Sequence, residues 1–175
     1  MLLGVCTPKV RWSPPSRLLY RDFPLTGCAD GEAYEAERHL TLGTKDSPEP
    51  FAQLEYDWYT GDASHTAATY AGRVVLPYLL VGNVRDATRS LRLFTSRLSS
   101  DNANLGLQEI TGGSSQMQLL PSLPLMNFLG LLLLAVQRGV ADTLRQLRSH
   151  YAAHIRDMAG WNEVRFSRCT LPLLL

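Results

Sequence analysis

The segment 123–136 constrains the fold more than any other part of the chain, because nothing else is so apolar for so long. Only Pro124, Asn127 and Gly130 interrupt its large hydrophobic residues and one alanine. The segment is about four helical turns long, which is short of the ~20 residues that a helix needs to cross a bilayer. A helix that is apolar nearly all round is buried on every side. We therefore predict that it is the central helix of a stack.

Residues at both ends of this segment support a helix. Pro121 and Pro124 precede or open it, and proline suits a first turn, where its missing N–H costs no hydrogen bond. Gly139 follows as a C-terminal stop, and Arg138 in the last turn complements the helix dipole.

The composition excludes several classes of protein. A formal net charge of +1 provides no general attraction to nucleic acid or to anionic lipid. Three scattered cysteines favour free thiols in a reducing compartment over a disulfide framework or a zinc site. The start lacks the layout of a signal peptide, and the apolar end 170–175 is too short to anchor the chain. Together these features predict a cytosolic protein that is not embedded in a membrane.

Helical periodicity and terminal signals predict further helices around the central one. Ser47 before Pro48 marks one start, and Asn83 with Asp86 three residues on has the pattern of a capping box. Pro77 lies inside a helical pattern and is expected to kink it or open it locally. The predicted helices cover approximately 32–43, 48–59, 66–81, 84–98 and 140–151, with a short stretch at 158–166. In the helix at 140–151, the residues predicted to face inward are Val140, Leu144, Leu147 and Tyr151.

Two short segments on either side of Thr111-Gly112-Gly113-Ser114 show partial alternation of apolar and polar residues, which is typical of a β-hairpin. These segments are 105–110 and 115–120. An ordered loop or a disordered loop could have the same composition, and both alternatives stay open beside the hairpin.

The predicted helices form pairs, the first with the second, the third with the fourth, and the central helix with the one after it. The pairs start roughly 34–36 residues apart once the hairpin is subtracted, which is the period of tetratricopeptide-like repeats. The sequence therefore predicts an all-α fold, an α-solenoid of tetratricopeptide-like helix pairs with one inserted β-hairpin or ordered loop. We expect an irregular leader at 1–31, the solenoid at 32–164 with its insertion at about 105–120, and an atypical apolar tail at 165–175.

No motif in the chain supports catalysis. His150 and His154 have the separation of two metal ligands on one helical face, but no third ligand has matching spacing. A solvated or partly buried pair is therefore favoured over the metal site of a hydrolase, and no cofactor or metal is expected. The segment Gly43-Thr44-Lys45 lacks the upstream glycine and the strand of a phosphate-binding loop. We predict that the protein is not an enzyme.

The sequence favours a surface that binds another protein. A solenoid offers grooves between helices in which an amphipathic partner helix can lie. The apolar residues of the hairpin and of the following helix form either core or interface, and the sequence does not separate the two. The fourth helix carries a row of arginines, which is interpreted as a solvated face rather than a ligand site. These residues are Arg85, Arg89, Arg92 and Arg97.

Three stretches resemble the Golgi to ER traffic protein 4 family, in a version similar to its fungal members. They are YEAERHLTLGTKDS at 34–47, YAGRVVLPYLL at 70–80 and LLPSLPLMNFL at 119–129. The stretches lie in the family's order, and the resemblance covers approximately 30–162, which corresponds to the C-terminal part of the family.

This resemblance implies a cytosolic scaffold of the GET complex, which acts in post-translational delivery of tail-anchored membrane proteins to the endoplasmic reticulum. It further implies that the C-terminal half binds the N-terminal segment of a ubiquitin-like adaptor, and that the N-terminal half docks the targeting ATPase. By position, adaptor binding falls on the hairpin and on the helix from Leu123. The residues expected to bind the adaptor are Leu107, Ile110, Met117, Leu119, Leu120, Leu125, Phe128 and Leu132.

The two ends of the chain depart from the family. Residues 1–31 do not match the helices that precede Glu32 there, and 165–175 does not continue the family's next helix. ATPase docking is therefore expected to be lost with the missing N-terminal half. The alternative function is a helical-repeat scaffold subunit of an unrelated cytosolic assembly.

Overall fold

Seven α-helices and one antiparallel pair of strands make up residues 30–112 and 115–156, which are the residues that this computed structural model describes. In chain order the elements are α1 (Asp30–Thr41), α2 (Pro48–Thr60), α3 (Ala67–Leu80), α4 (Val84–Asp101), β1 (Gln108–Gly112), β2 (Ser115–Leu119), α5 (Pro124–Arg138), α6 (Ala141–His150) and α7 (Ala152–Arg156). Short 3-10 turns precede α3 and follow α4. The predicted helix at 158–166, the tail at 165–175 and nearly all of the leader lie outside the described residues.

The helices pack as successive pairs, as the sequence period predicts. Helix α1 packs on α2, α3 on α4 and α5 on α6, while α4 contacts both α2 and α5 and so joins the pairs. The hairpin of β1 and β2 is inserted between α4 and α5. The all-α solenoid with one inserted hairpin is therefore confirmed, and the two loop alternatives for the insertion are excluded.

Terminal signals account for several helix ends. The Asn83 side chain accepts a hydrogen bond from the Asp86 N–H at 3.2 Å, which satisfies one of the free donors at the start of α4. Gly139 ends α5 with φ +66°, a left-handed conformation that glycine adopts without steric cost. Ser47 makes no such cap, because its backbone is already helical (φ −65°, ψ −28°) whereas a capping residue is typically extended.

The densest part of the core lies between α2, α3 and α4. Phe51 meets Tyr78 edge to face with ring centres 5.6 Å apart, and Tyr56 meets Phe94 in the same way at 5.4 Å. All four rings are buried, and such pairs stabilise a fold by about 0.5–1.5 kcal/mol beyond their burial. Helix α3 continues one turn past Pro77 to Leu80, so this proline lies near the end of the helix rather than breaking it.

Two expectations about burial are wrong. Val140 is 43% exposed rather than inward, because it precedes α6 with extended backbone angles (φ −97°, ψ 99°) and does not share that helix's periodicity. Helix α5 is not buried on every side: six residues on it are buried, but Leu131 and Leu134 are only half-buried. Parts of this apolar helix therefore remain accessible to solvent.

Among the described residues, no helix combines the length and the apolar character that a membrane span requires.

Candidate protein-binding groove

Asn127 of α5, one of the three residues that interrupt the apolar segment, is hydrogen-bonded to the end of the hairpin. Its side-chain oxygen accepts a hydrogen bond from the Leu120 N–H at 2.8 Å, and its side-chain amide donates to the Leu120 carbonyl at 2.9 Å. Leu120 is 1% exposed, so its backbone groups have little water available in place of these bonds. The asparagine thus pairs with the end of β2 as a neighbouring strand would.

A second contact between the hairpin and α5 depends on Gly130. A Cβ atom at this position would lie 3.4 Å from the terminal methyl carbon of Met117 on β2. The absence of a side chain lets Met117 lie directly on the helix, and a long flexible thioether fills such irregular space well. Asn127 and Gly130 are one helical turn apart, so both contacts lie on the same face of α5.

Between this hairpin, α4 and α5 lies an open groove of about 250 Å³. Its apolar lining comes from all three elements. These residues are Leu91, Met117, Leu120, Met126, Leu133 and Leu134, beside Gly130. Six of the twelve lining residues are leucine or methionine and five are polar, so the groove combines apolar contact area for another chain with polar groups at its walls.

The uncharged polar residues of the lining are largely engaged within the protein. The hydroxyls of Thr88 and Thr95 donate to backbone carbonyls one turn earlier on α4, each at 2.8 Å. Gln137 donates to the Thr88 hydroxyl at 3.0 Å and so closes the groove where α5 ends. Gln118 donates to the Glu109 carboxylate across the hairpin at 3.4 Å. The remaining polar lining residue, Arg92, is exposed.

The eight residues expected to bind the adaptor differ in exposure and in position. Leu120, Phe128 and Leu132 are buried, and Phe128 packs its ring against Tyr151 at 5.5 Å. The half-buried members are Leu107, Met117, Leu119 and Leu125, while Ile110 is 49% exposed. Of the eight, Met117 and Leu120 line the groove.

The α4 wall and the groove-facing side of α5 are not among the residues that the sequence predicts to bind a partner. The α4 lining residues share one helical face and are Thr88, Leu91, Arg92 and Thr95. The signal for the α5 stripe was available: Asn127, Gly130, Leu134 and Gln137 are spaced by three, four and three residues, which places them on one helical face. Asn127 and Gly130, two of the three interruptions of the apolar segment, therefore mark the face that turns toward the hairpin and the groove.

A separate cluster of charged side chains joins α1, α2 and α3 on the far side of the core. Arg73 donates to Glu37 at 2.8 Å, lies 3.2 Å from a carboxylate oxygen of Glu55, and covers the Trp58 ring at 4.6 Å. Glu55 is fully buried. Burial raises the pKa of Glu55 well above its ordinary value of about 4.5, and the hydrogen bond and negative charge of Glu37 raise it further. These contacts stabilise the packing of α1, α2 and α3, and they do not form a site open to a ligand.

The described residues contain no group of three or more side chains arranged to hold a metal ion. His150 and His154 are both exposed and flank the Tyr151 ring, at 5.0 Å and 6.2 Å between ring centres. The segment Gly43-Thr44-Lys45 forms the turn after α1, with a helix rather than a strand before it.

Comparisons with known proteins agree with the fold and with the resemblance. The family model of Golgi to ER traffic protein 4 matches residues 19–165, so the match begins within the predicted leader. The chain is 55% identical over 134 residues to Golgi to ER traffic protein 4 of Aspergillus fumigatus, covering 77% of this chain and 39% of that protein. It is 33% identical over 120 residues to the Schizosaccharomyces pombe protein of the same name, covering 69% and 39%.

A crystal structure of C. therm. Get4 has the same arrangement of helices. It superposes with a TM-score of 0.71 and 50% sequence identity, over 79% of this chain and 43% of that one. The chain spans 39% of the length of the curated relatives that it matches. On these grounds it belongs to the Golgi to ER traffic protein 4 family.

Proposed function

We propose that this chain is a non-catalytic, cytosolic scaffold of the GET pathway, and that it binds a ubiquitin-like adaptor. In this proposal the adaptor links the scaffold to post-translational delivery of tail-anchored proteins to the endoplasmic reticulum. Membership of the Golgi to ER traffic protein 4 family supports the pathway, because the family name describes a traffic protein rather than an enzyme. No role in docking the targeting ATPase is assigned to the described residues.

The observation that carries the adaptor proposal is the groove between α4, α5 and the hairpin. It is open, and half of its lining residues are leucine or methionine. Asn127 and Gly130 hold the hairpin against α5 as its third wall. A wall that is fixed before binding reduces the ordering cost that a partner must overcome. Such a groove between two helices fits the apolar face of an amphipathic helix.

The test compares two leucines of α5 that differ in where they point. Leu134 lines the groove and Leu131 does not, yet both are half-buried residues of the same helix. We expect Leu134→Ser to weaken binding of the adaptor's N-terminal segment at least tenfold, a difference of about 1.4 kcal/mol, because it removes apolar contact area from the interface. Leu131→Ser should leave the affinity within about twofold, or roughly 0.4 kcal/mol.

The measurement is isothermal titration calorimetry of the purified full chain with that segment, with circular dichroism to establish that both variants are folded. One-to-one binding that depends on Leu134 and not on Leu131 is the expected result. A helical, folded wild-type chain that does not bind the segment would overturn the adaptor proposal. The chain would then be better described as a helical-repeat subunit of another assembly.

A further inference from the structure

We propose that Arg92 is a specificity-determining residue of the groove, selecting a partner helix that carries a carboxylate beside its apolar face. This inference rests on the proposed function, since it concerns the partner that occupies the same groove. It goes further in stating which chemical group the partner must present, and where.

The first observation is the charge of the lining. Twelve residues line the groove, and Arg92 is the ionisable one among them. Glu109 accepts a hydrogen bond from the Gln118 side chain across the hairpin, and it is not part of the lining. The groove therefore offers a single positive charge within an otherwise uncharged wall.

The second observation separates Arg92 from Arg85 and Arg89 of the same helix. Arg85 lies 3.0 Å from the Asp86 carboxylate, and Arg89 lies 3.9 Å from Glu49 and donates to the Lys45 carbonyl at 3.3 Å. Within residues 30–112 and 115–156, no acid pairs with Arg92 and no acceptor takes its hydrogen bonds. Arg97 also has no ion pair with a described residue, but it does not line the groove. The solvated face that the arginine row predicts thus includes one member that points into a binding groove.

The nearby polar groups of the protein do not compensate this charge. They are the side chains of Thr88, Thr95 and Gln137, and an uncharged side chain does not balance a positive charge. In the free protein, water solvates the guanidinium, because Arg92 is exposed. A partner that covers the groove removes this water, and a buried cation without an acceptor is costly. A carboxylate on the partner removes that cost, and the planar guanidinium can bind it through two parallel hydrogen bonds.

The partner is therefore an amphipathic helix with leucine-sized residues toward Leu91, Leu133 and Leu134 and with Asp or Glu at the edge nearest α4. Apolar contacts supply most of the affinity, and the ion pair selects among apolar helices. A helix that presents Lys or Arg at this edge would be rejected, because like charges would be brought together as water is excluded.

The experiment measures binding of the adaptor's N-terminal segment to the full chain by calorimetry, with variants at Arg92 and at a matched control. Arg148 on α6 is also an exposed arginine, lies outside the lining, and pairs with no acid of the described part of the chain. Arg92→Glu and Arg148→Glu change the net charge equally. We expect Arg92→Glu to weaken binding at least tenfold, Arg92→Lys to weaken it about threefold, and Arg148→Glu to leave it unchanged.

The partner side is tested by replacing each acidic residue of the segment with Lys. One of these replacements should weaken binding to the wild-type chain and restore binding to the Arg92→Glu variant. Equal affinities for the wild-type chain and for Arg92→Glu would overturn the inference, as would equal losses with Arg92→Glu and Arg148→Glu. If Leu134→Ser still weakens binding at least tenfold in that case, the proposed function stands and the inference about Arg92 alone fails.

Discussion

Replacing Asn127 with alanine tests whether one polar side chain holds the hairpin in place. The substitution removes two hydrogen bonds to the buried backbone of Leu120, at 2.8 and 2.9 Å. Each such bond contributes about 0.5–1.5 kcal/mol net, so the loss is about 1–3 kcal/mol. Alanine offsets about 0.5 kcal/mol of this through its higher helix propensity. The expected change in the free energy of unfolding is therefore a decrease of about 0.5–2.5 kcal/mol.

Urea denaturation followed by circular dichroism measures this decrease. For a chain of this size it corresponds to a fall in Tm of about 1–10 °C. Amide hydrogen exchange adds a local readout, since the Leu120 N–H and the amides of β1 and β2 should lose protection more than those of α2 and α3. Gln146→Ala, on the exposed face of α6, is the matched control for a polar-to-alanine change in a helix. Unchanged stability together with unchanged exchange in the hairpin would refute the reasoning.

Two further predictions concern Gly130 and Glu55. Gly130→Ala should stabilise the fold by up to ~1 kcal/mol, because alanine has the higher helix propensity and its Cβ would meet the flexible end of Met117 at an ordinary contact distance of 3.4 Å. Gly130→Leu should instead displace Met117 and weaken adaptor binding. Thermal unfolding and calorimetry of both variants measure this, and a fully competent Gly130→Leu variant would contradict it. Burial raises the pKa of Glu55, so the folded chain holds this proton more tightly than the unfolded chain does. The resulting stability is fully present below about pH 4.5 and is lost as the pH rises toward the raised pKa of the folded state. Urea denaturation across this pH range should show a decline that Glu55→Gln removes, and an identical pH dependence in that variant would count against a protonated Glu55.

Much of the fold could be predicted because its signals are local. The N–H and C=O groups at helix ends have no partner within the helix, and residues close in sequence satisfy them. Such signals are Asn83 before Asp86 at the start of α4, and Gly139 after Arg138 at the end of α5. The alternation around Gly112 and Gly113 indicated a hairpin, and the register Ile110 to Met117 agrees with it. The pairing of helices followed from the repeat period.

The groove was less predictable because it depends on contacts between elements distant in sequence. When a helix carries leucines on every face, its hydrophobicity does not show which face packs in the core. The pattern therefore does not indicate which leucines remain accessible to solvent. Leu133 and Leu134 became groove residues only through the position of the hairpin, which Asn127 and Gly130 set. Likewise, nothing local distinguishes Arg92 from Arg89, since the difference lies in whether Glu49 of another helix is within reach.

The attachment of the hairpin to α5 makes the groove dependent on the folding of the second half of the chain. Two strands alone are marginally stable in water. Contacts of Leu120 and Met117 with α5 therefore stabilise this hairpin. A chain in which α5 has not yet formed therefore presents neither the third wall nor the groove. If the proposed partner binds this groove, it distinguishes chains in which α5 and the hairpin have folded from chains in which they have not.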